Sequence, residues 1–194
     1  MYLRTILFPI VVLFCAGVAM AQRPGPEFWR KVGCEPLEPR TKLEALEDRH
    51  STVLIKGFTR IATVVVPGVR IDAVEMREMG NVSRAKGIVV VLDGGEKLRG
   101  NRAFVDYEEI DPLLNAIDSM VRIDETATKL AGFEARYKTQ GDLEIGVFRQ
   151  TRSGTAAMVT TGICDRATGT LTLDDLAKVR AMIQEAKSRL DELR

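Results

Sequence analysis

The sequence predicts an α+β fold, an antiparallel sheet of about seven to eight strands carrying two amphipathic helices. Three observations predict it. From Thr52 onward the chain alternates short β-branched or period-two runs with turn residues, the texture of strands joined by tight connections. Near its end Leu176, Val179, Ile183, Ala186, Leu190 and Leu193 recur at alternating steps of three and four, one apolar stripe on a charged helix. Finally, "AFVDYEEIDPLLNAID" (residues 103–118) shares its apolar skeleton with "GTLTLDDLAKVRAMIQ" (residues 169–184). Val105 falls on Leu171, Tyr107 on Leu173, Ile110 on Leu176, Leu113 on Val179 and Ile117 on Ile183. The repeat preserves an architecture, strands followed by a helix, and not a chemistry.

Residues 1–21 read as a signal peptide. Arg4 supplies a positive start, Ile6 to Val18 an apolar run too short for a membrane span, and Ala19-Met20-Ala21 a small-x-small cleavage site. The bulky Val12-Leu13-Phe14 before Cys15 argues against a lipidated cysteine. Residues 22–41 form a proline-rich arm, with Pro24, Pro26, Pro36 and Pro39 removing amide donors and blocking helix. Phe28 and Trp29 are expected to pin it to the body.

Residues 42–194 are expected to be a single domain of two similar halves, about 42–123 and 124–194. In the first half, "TVLIKGF" and "IATVVV" are strands, and Pro67-Gly68 turns the chain into "VRIDAVEMR". There Val69, Ile71 and Ala73 alternate before Val74 and Met76 take the other phase, which predicts a β-bulge. "GIVVVL" is apolar on both faces and reads as a covered strand. In the second half, Phe133, Ala135 and Tyr137 alternate with charge, as do Leu143, Ile145 and Val147, giving a meander with one buried and one wet face.

Each predicted helix has an entry signal. Thr172 with Asp175, and Asp106 with Glu109, have capping-box spacing, and Leu171/Leu176 and Val105/Ile110 have the spacing of a hydrophobic staple. Pro112 disagrees with a cap at Asp106, so the first helix is expected to begin with a turn near Tyr107 and to run regularly from Pro112, capped by Asp111, to about Met120.

Charge bounds the partners. The chain has 28 basic and 27 acidic residues, and losing Arg4 with the signal peptide balances them. A balanced protein lacks the concentrated positive field of a dedicated nucleic-acid binder. Of three cysteines, Cys34 and Cys164 survive processing. An even pair in an exported protein points to a disulfide. With one histidine, His50, the chain has no zinc-ligand spacing.

Other features each have a bland reading beside a functional one. "LDGGEKLRGNR" follows a strand but lacks the phosphate-loop pattern. Glu108, Glu109 and Asp111 are an acidic cluster, which the first turn of a helix also favours. His50 has no nucleophile turn near it in sequence and reads as a surface residue. Asn81-Val82-Ser83 matches a glycosylation triplet. Arg136, Lys138, Arg149 and Arg152 would share the wet face of the second-half meander, where a ligand or only solvent would meet them.

The double order of strands then helix resembles, in topology alone, the whirly and PUR-type folds, and that likeness implies binding of single-stranded nucleic acid on the sheets. Separately, "TKLEALEDRHSTVLIKGF", "FVDYEEIDPLLNAID", "KTQGDLEIGVF" and "LDDLAKVRAMIQEAK" together are similar to a family of exported bacterial proteins, a likeness that implies export and carries no catalytic motif onto any residue.

The expectation is therefore an exported, periplasmic or secreted, non-catalytic protein that binds an envelope or extracellular partner and spans no membrane after processing. No catalytic, cofactor or metal residues are assigned. The alternatives are a small exported hydrolase whose site assembles only in the fold, and single-stranded nucleic-acid binding by fold analogy.

Overall fold

Period-two alternation does set the strands, and they form two sheets. The computed structural model describes residues 38–62, 66, 68–92, 102–124, 126–150, 154–162 and 166–193. Its elements run α1 (Lys42–Glu47), β1 (Leu54–Arg60), β2 (Val69–Glu78), β3 (Arg84–Leu92), β4 (Arg102–Asp106), α2 (Tyr107–Val121), β5 (Phe133–Lys138), β6 (Glu144–Gln150), β7 (Gly154–Thr161), β8 (Ala167–Leu171) and α3 (Leu173–Asp191). Strands pair as antiparallel neighbours in the orders β1-β2-β3-β4 and β5-β6-β7-β8. The class is α+β with eight strands, and the single sheet of the sequence reading is corrected to two. Helix α2 carries the chain away from β4, so β4 does not pair with β5. One bond joins the sheets there, from Phe104 N to Gly141 O at 3.3 Å.

The main core lies between the sheets and includes both long helices. Ile71, Ile88 and Val105 come from the first sheet, Ile145, Val147 and Val159 from the second, and Ile117 and Ile183 from α2 and α3. Helix α3 packs on α2 and on β2 and β3 of the first sheet as well as on β7 and β8, and α2 reaches β5 and β6 in the same way. A smaller core covers the other face of the first sheet, where Leu43 and Leu46 of α1 meet Val74, Met76, Val89 and Phe104.

That second core overturns the expected bulge. The β2–β3 register runs without interruption from Val69↔Leu92 to Arg77↔Arg84. Val74 and Met76 change phase because α1 buries their face, not because the strand slips. The run 61–66, expected as a strand, contributes among its described residues a bond from Ile61 N to Ile71 O at 2.9 Å and a bridge from Val66 to Val69.

Helix α1 was not expected, though its signal is in the sequence. Thr41 and Glu44 form a full capping box, with Glu44 N donating to Thr41 Oγ1 at 3.0 Å and Thr41 N to Glu44 Oε2 at 3.1 Å. At α3 the box is half formed. Asp175 N donates to Thr172 Oγ1 at 3.0 Å, but the Asp175 carboxylate takes the Thr172 hydroxyl instead of its amide.

At α2 the Asp106 side chain makes no capping bond to its own helix, and the helix nevertheless runs unbroken from Tyr107 through Pro112. The proline sits two turns in, where its ring removes the bond to the carbonyl of Glu108, an exposed residue that water can reach. Asp111 is therefore inside the helix and not its cap.

Candidate functional site

The elements meet around a cleft of about 290 Å³ lined by Lys42, Arg84, Lys86, Tyr107, Glu108 and Leu193. Each side chain arrives from a different constraint. Lys42 opens α1, whose capping box fixes its direction. Arg84 and Lys86 stand two apart on β3, so they share the face that further along carries Ile88 and Val90 into the main core. Tyr107 and Glu108 open α2. Leu193 follows α3; it was expected to end the apolar stripe, but the helix stops at Asp191 and leaves it 39% exposed at the cleft.

Lys86 organises the floor. Its ammonium donates to Leu190 O at 2.8 Å, a carbonyl at the negative end of α3 that also accepts from Leu193 N at 3.3 Å. It also lies 4.2 Å from the centre of the Tyr107 ring. The Tyr107 hydroxyl donates to Asp191, and that bond pushes the phenol pKa upward. Lys42 donates to Glu108; the bond raises the lysine and lowers the glutamate, whose own backbone amide adds to the lowering. Arg84 is ion-paired through its Nε to Glu75 on β2.

The acidic cluster does not act as one. Glu108 enters the cleft. Glu109 accepts from Gln140 N at 3.0 Å. Asp111 faces Lys187 of α3 at 3.5 Å. Three acids within one helical turn point three ways, so they offer no shared cation position.

The outer face of the second sheet is a second surface. Arg136 and Lys138 lie on it, as the alternation predicts. Arg149 does not: it pairs with inward-facing Phe133 in the β5–β6 register, and its guanidinium lies 5.7 Å from that ring. Arg166, which no sequence pattern marks, joins this surface instead. Two buried acids each hold two cations. Glu144 takes Arg166 at 2.7 Å and Arg136 at 3.6 Å; Asp142 takes Lys138 at 2.9 Å and Arg40 at 3.0 Å. Cations bound to acids in this way make a poor track for a phosphate backbone. Between them Met158 lies across Gly146.

His50 is exposed, beyond the end of α1. Asn81 belongs to the β2–β3 turn and donates to Glu78 at 2.9 Å. Cys34 and Cys164, the expected disulfide, lie outside the described residues, as do Phe28, Trp29, Arg152 and the glycine-rich residues 93–101.

Of the cleft residues, the sequence marks Glu108 alone as a functional candidate, and Tyr107 and Leu193 only as parts of helices. The lining residues come from four distant segments, and no local pattern joins them. Among the described residues no helix is long and apolar enough to cross a membrane. No model of a known protein family matches the chain, and no curated protein matches it.

Proposed function

We propose that the protein is an exported, non-catalytic binding protein, serving an envelope or extracellular partner. The cleft between α1, β3, α2 and the end of α3 carries this reading. Among the described residues its lining has cations, an aromatic ring and one carboxylate, but no Ser, Thr, Cys or His. The one hydroxyl among those described residues belongs to Tyr107, and the Asp191 carboxylate holds that phenol in its protonated form. A phenol pushed upward is a weak nucleophile and a weak base at neutral pH. Such a site is suited to holding a ligand and not to breaking its bonds. Export is supported by the residue pattern of the first 21 positions.

Native mass spectrometry of protein recovered from the periplasm or medium tests both parts. The expected outcome is a chain beginning at Gln22 that carries an additional mass. Turnover of an ester, peptide or phosphoester substrate that disappears in His50→Ala would replace this reading with a hydrolase.

A further inference from the structure

We propose that the cleft binds a small oxyanion, a phosphate or carboxylate group, at the position that the Glu108 carboxylate now occupies. This rests on the binding reading above and names its ligand class. The lining residues carry three cations, Lys42, Arg84 and Lys86, against one carboxylate. Glu75 and Asp191 stand beside the lining, the first paired with Arg84 and the second with the Tyr107 hydroxyl, so Lys86 is the lining cation without a carboxylate partner among the described residues.

Lys86 has donors to spare. Its ammonium carries three N–H groups, and its contacts are the Leu190 carbonyl and the Tyr107 ring face. Among the described residues no carboxylate lies within ion-pair distance of it. Arg84 is engaged through Nε, leaving its terminal nitrogens for a second partner.

Glu108 marks where an oxyanion is stabilised, since it is held by Lys42 and feels Lys86. The Lys42–Glu108 pair is exposed on both sides, at 61% and 64%. An exposed pair of this kind contributes little stability and opens readily. Glu108 is thus a tethered occupant that a soluble anion displaces by turning its side chain outward. The cleft volume lies near the lower end for ligand sites, roughly 300–1,000 Å³, so the ligand is small.

Isothermal titration of the mature chain at low ionic strength, with inorganic phosphate and separately with succinate, tests the proposal. One-site binding of either anion is expected, and the tighter of the two identifies the group. Glu108→Gln removes the competitor and should tighten binding about threefold to tenfold. Lys86→Gln should weaken it at least about tenfold, and Lys86→Arg should retain it, which separates loss of the site from loss of the fold. Failure of both anions to bind, or weaker binding in Glu108→Gln, overturns the assignment. If both anions fail while a co-purifying mass persists in Lys86→Gln, the oxyanion is wrong and the binding reading stands.

Discussion

The Asp106 carboxylate accepts the backbone amide of Lys42 at 2.7 Å, across 64 positions of sequence. Its other oxygen takes the amide of Leu43 at 3.2 Å. An acid at the N-cap position of α2 therefore serves the first turn of α1, a six-residue helix too short to persist alone. This bond aims Lys42 at the cleft. Asp106→Ala leaves two amides unpaired in a buried position and should cost about 2 kcal/mol. The check is a lower urea midpoint at unchanged slope, with partial recovery in Asp106→Asn, which keeps one acceptor.

Gly141 is bridged to Phe104 of the first sheet. A Cβ there would stand 1.9 Å from Phe104 O and 2.8 Å from a methyl of Thr41. Neither neighbour can yield without disturbing the Phe104–Gly141 bond or the cap of α1. Gly141→Ala should cost about 1–3 kcal/mol. Gly57 on edge strand β1 is the control: its nearest atom would be 3.9 Å away, so Gly57→Ala should leave the melting temperature unchanged or slightly higher.

Glu109 gives a pH dependence of defined sign. Burial pushes its pKa up from the ordinary 4.5, and outweighs the opposing bond from the Gln140 amide. Its second oxygen, Oε2, is buried without a partner. As pH rises past the ordinary value, the unfolded chain loses this proton first while the native state still holds it. Stability is therefore present at low pH and declines as pH climbs through the raised value. Glu109→Gln removes the penalty, so its melting temperature relative to the parent protein should be more favourable at pH 7 than at pH 4. A difference that is flat with pH, or reversed, would refute this sign.

What the sequence revealed was periodic, and what it hid was long-range. The stripe of α3 and the alternation of β5 and β6 follow from residues a few positions apart, and they placed Val179, Ile183, Ile145 and Val147 in the core. Val74 and Met76 were misread because their phase depends on α1, a helix short enough to hide between the proline-rich arm and the first strand despite its Thr41–Glu44 box. Asp106 looked like a local cap, yet its partners lie on another element. Arg149 was grouped with Arg136 by charge, although one position of strand phase separates the faces. The cleft stayed hidden for the same reason: Lys42, Lys86 and Tyr107 share no motif and meet only once two sheets and three helices have packed.

The disulfide between Cys34 and Cys164 can be tested directly. These are the two cysteines outside residues 1–21. Two arginines fix nearby points of the chain: Arg40 reaches Asp142 at 3.0 Å, and Arg166 reaches Glu144 at 2.7 Å. Asp142 and Glu144 are next-but-one neighbours at the start of β6, so Arg40 and Arg166 converge on one end of the second sheet. Cys34 precedes Arg40 by six residues and Cys164 precedes Arg166 by two. A disulfide requires Cα atoms within about 4.4–6.8 Å. Chain-entropy models assign roughly 4–5 kcal/mol to closing a loop of this order, with measured values often smaller. The intact exported protein should gain the mass of two hydrogens on reduction, and alkylation of the denatured, unreduced chain should label neither cysteine. Labelling of Cys34 under those conditions rules the bridge out, and the proline-rich arm would then depend on Phe28 and Trp29 for any attachment.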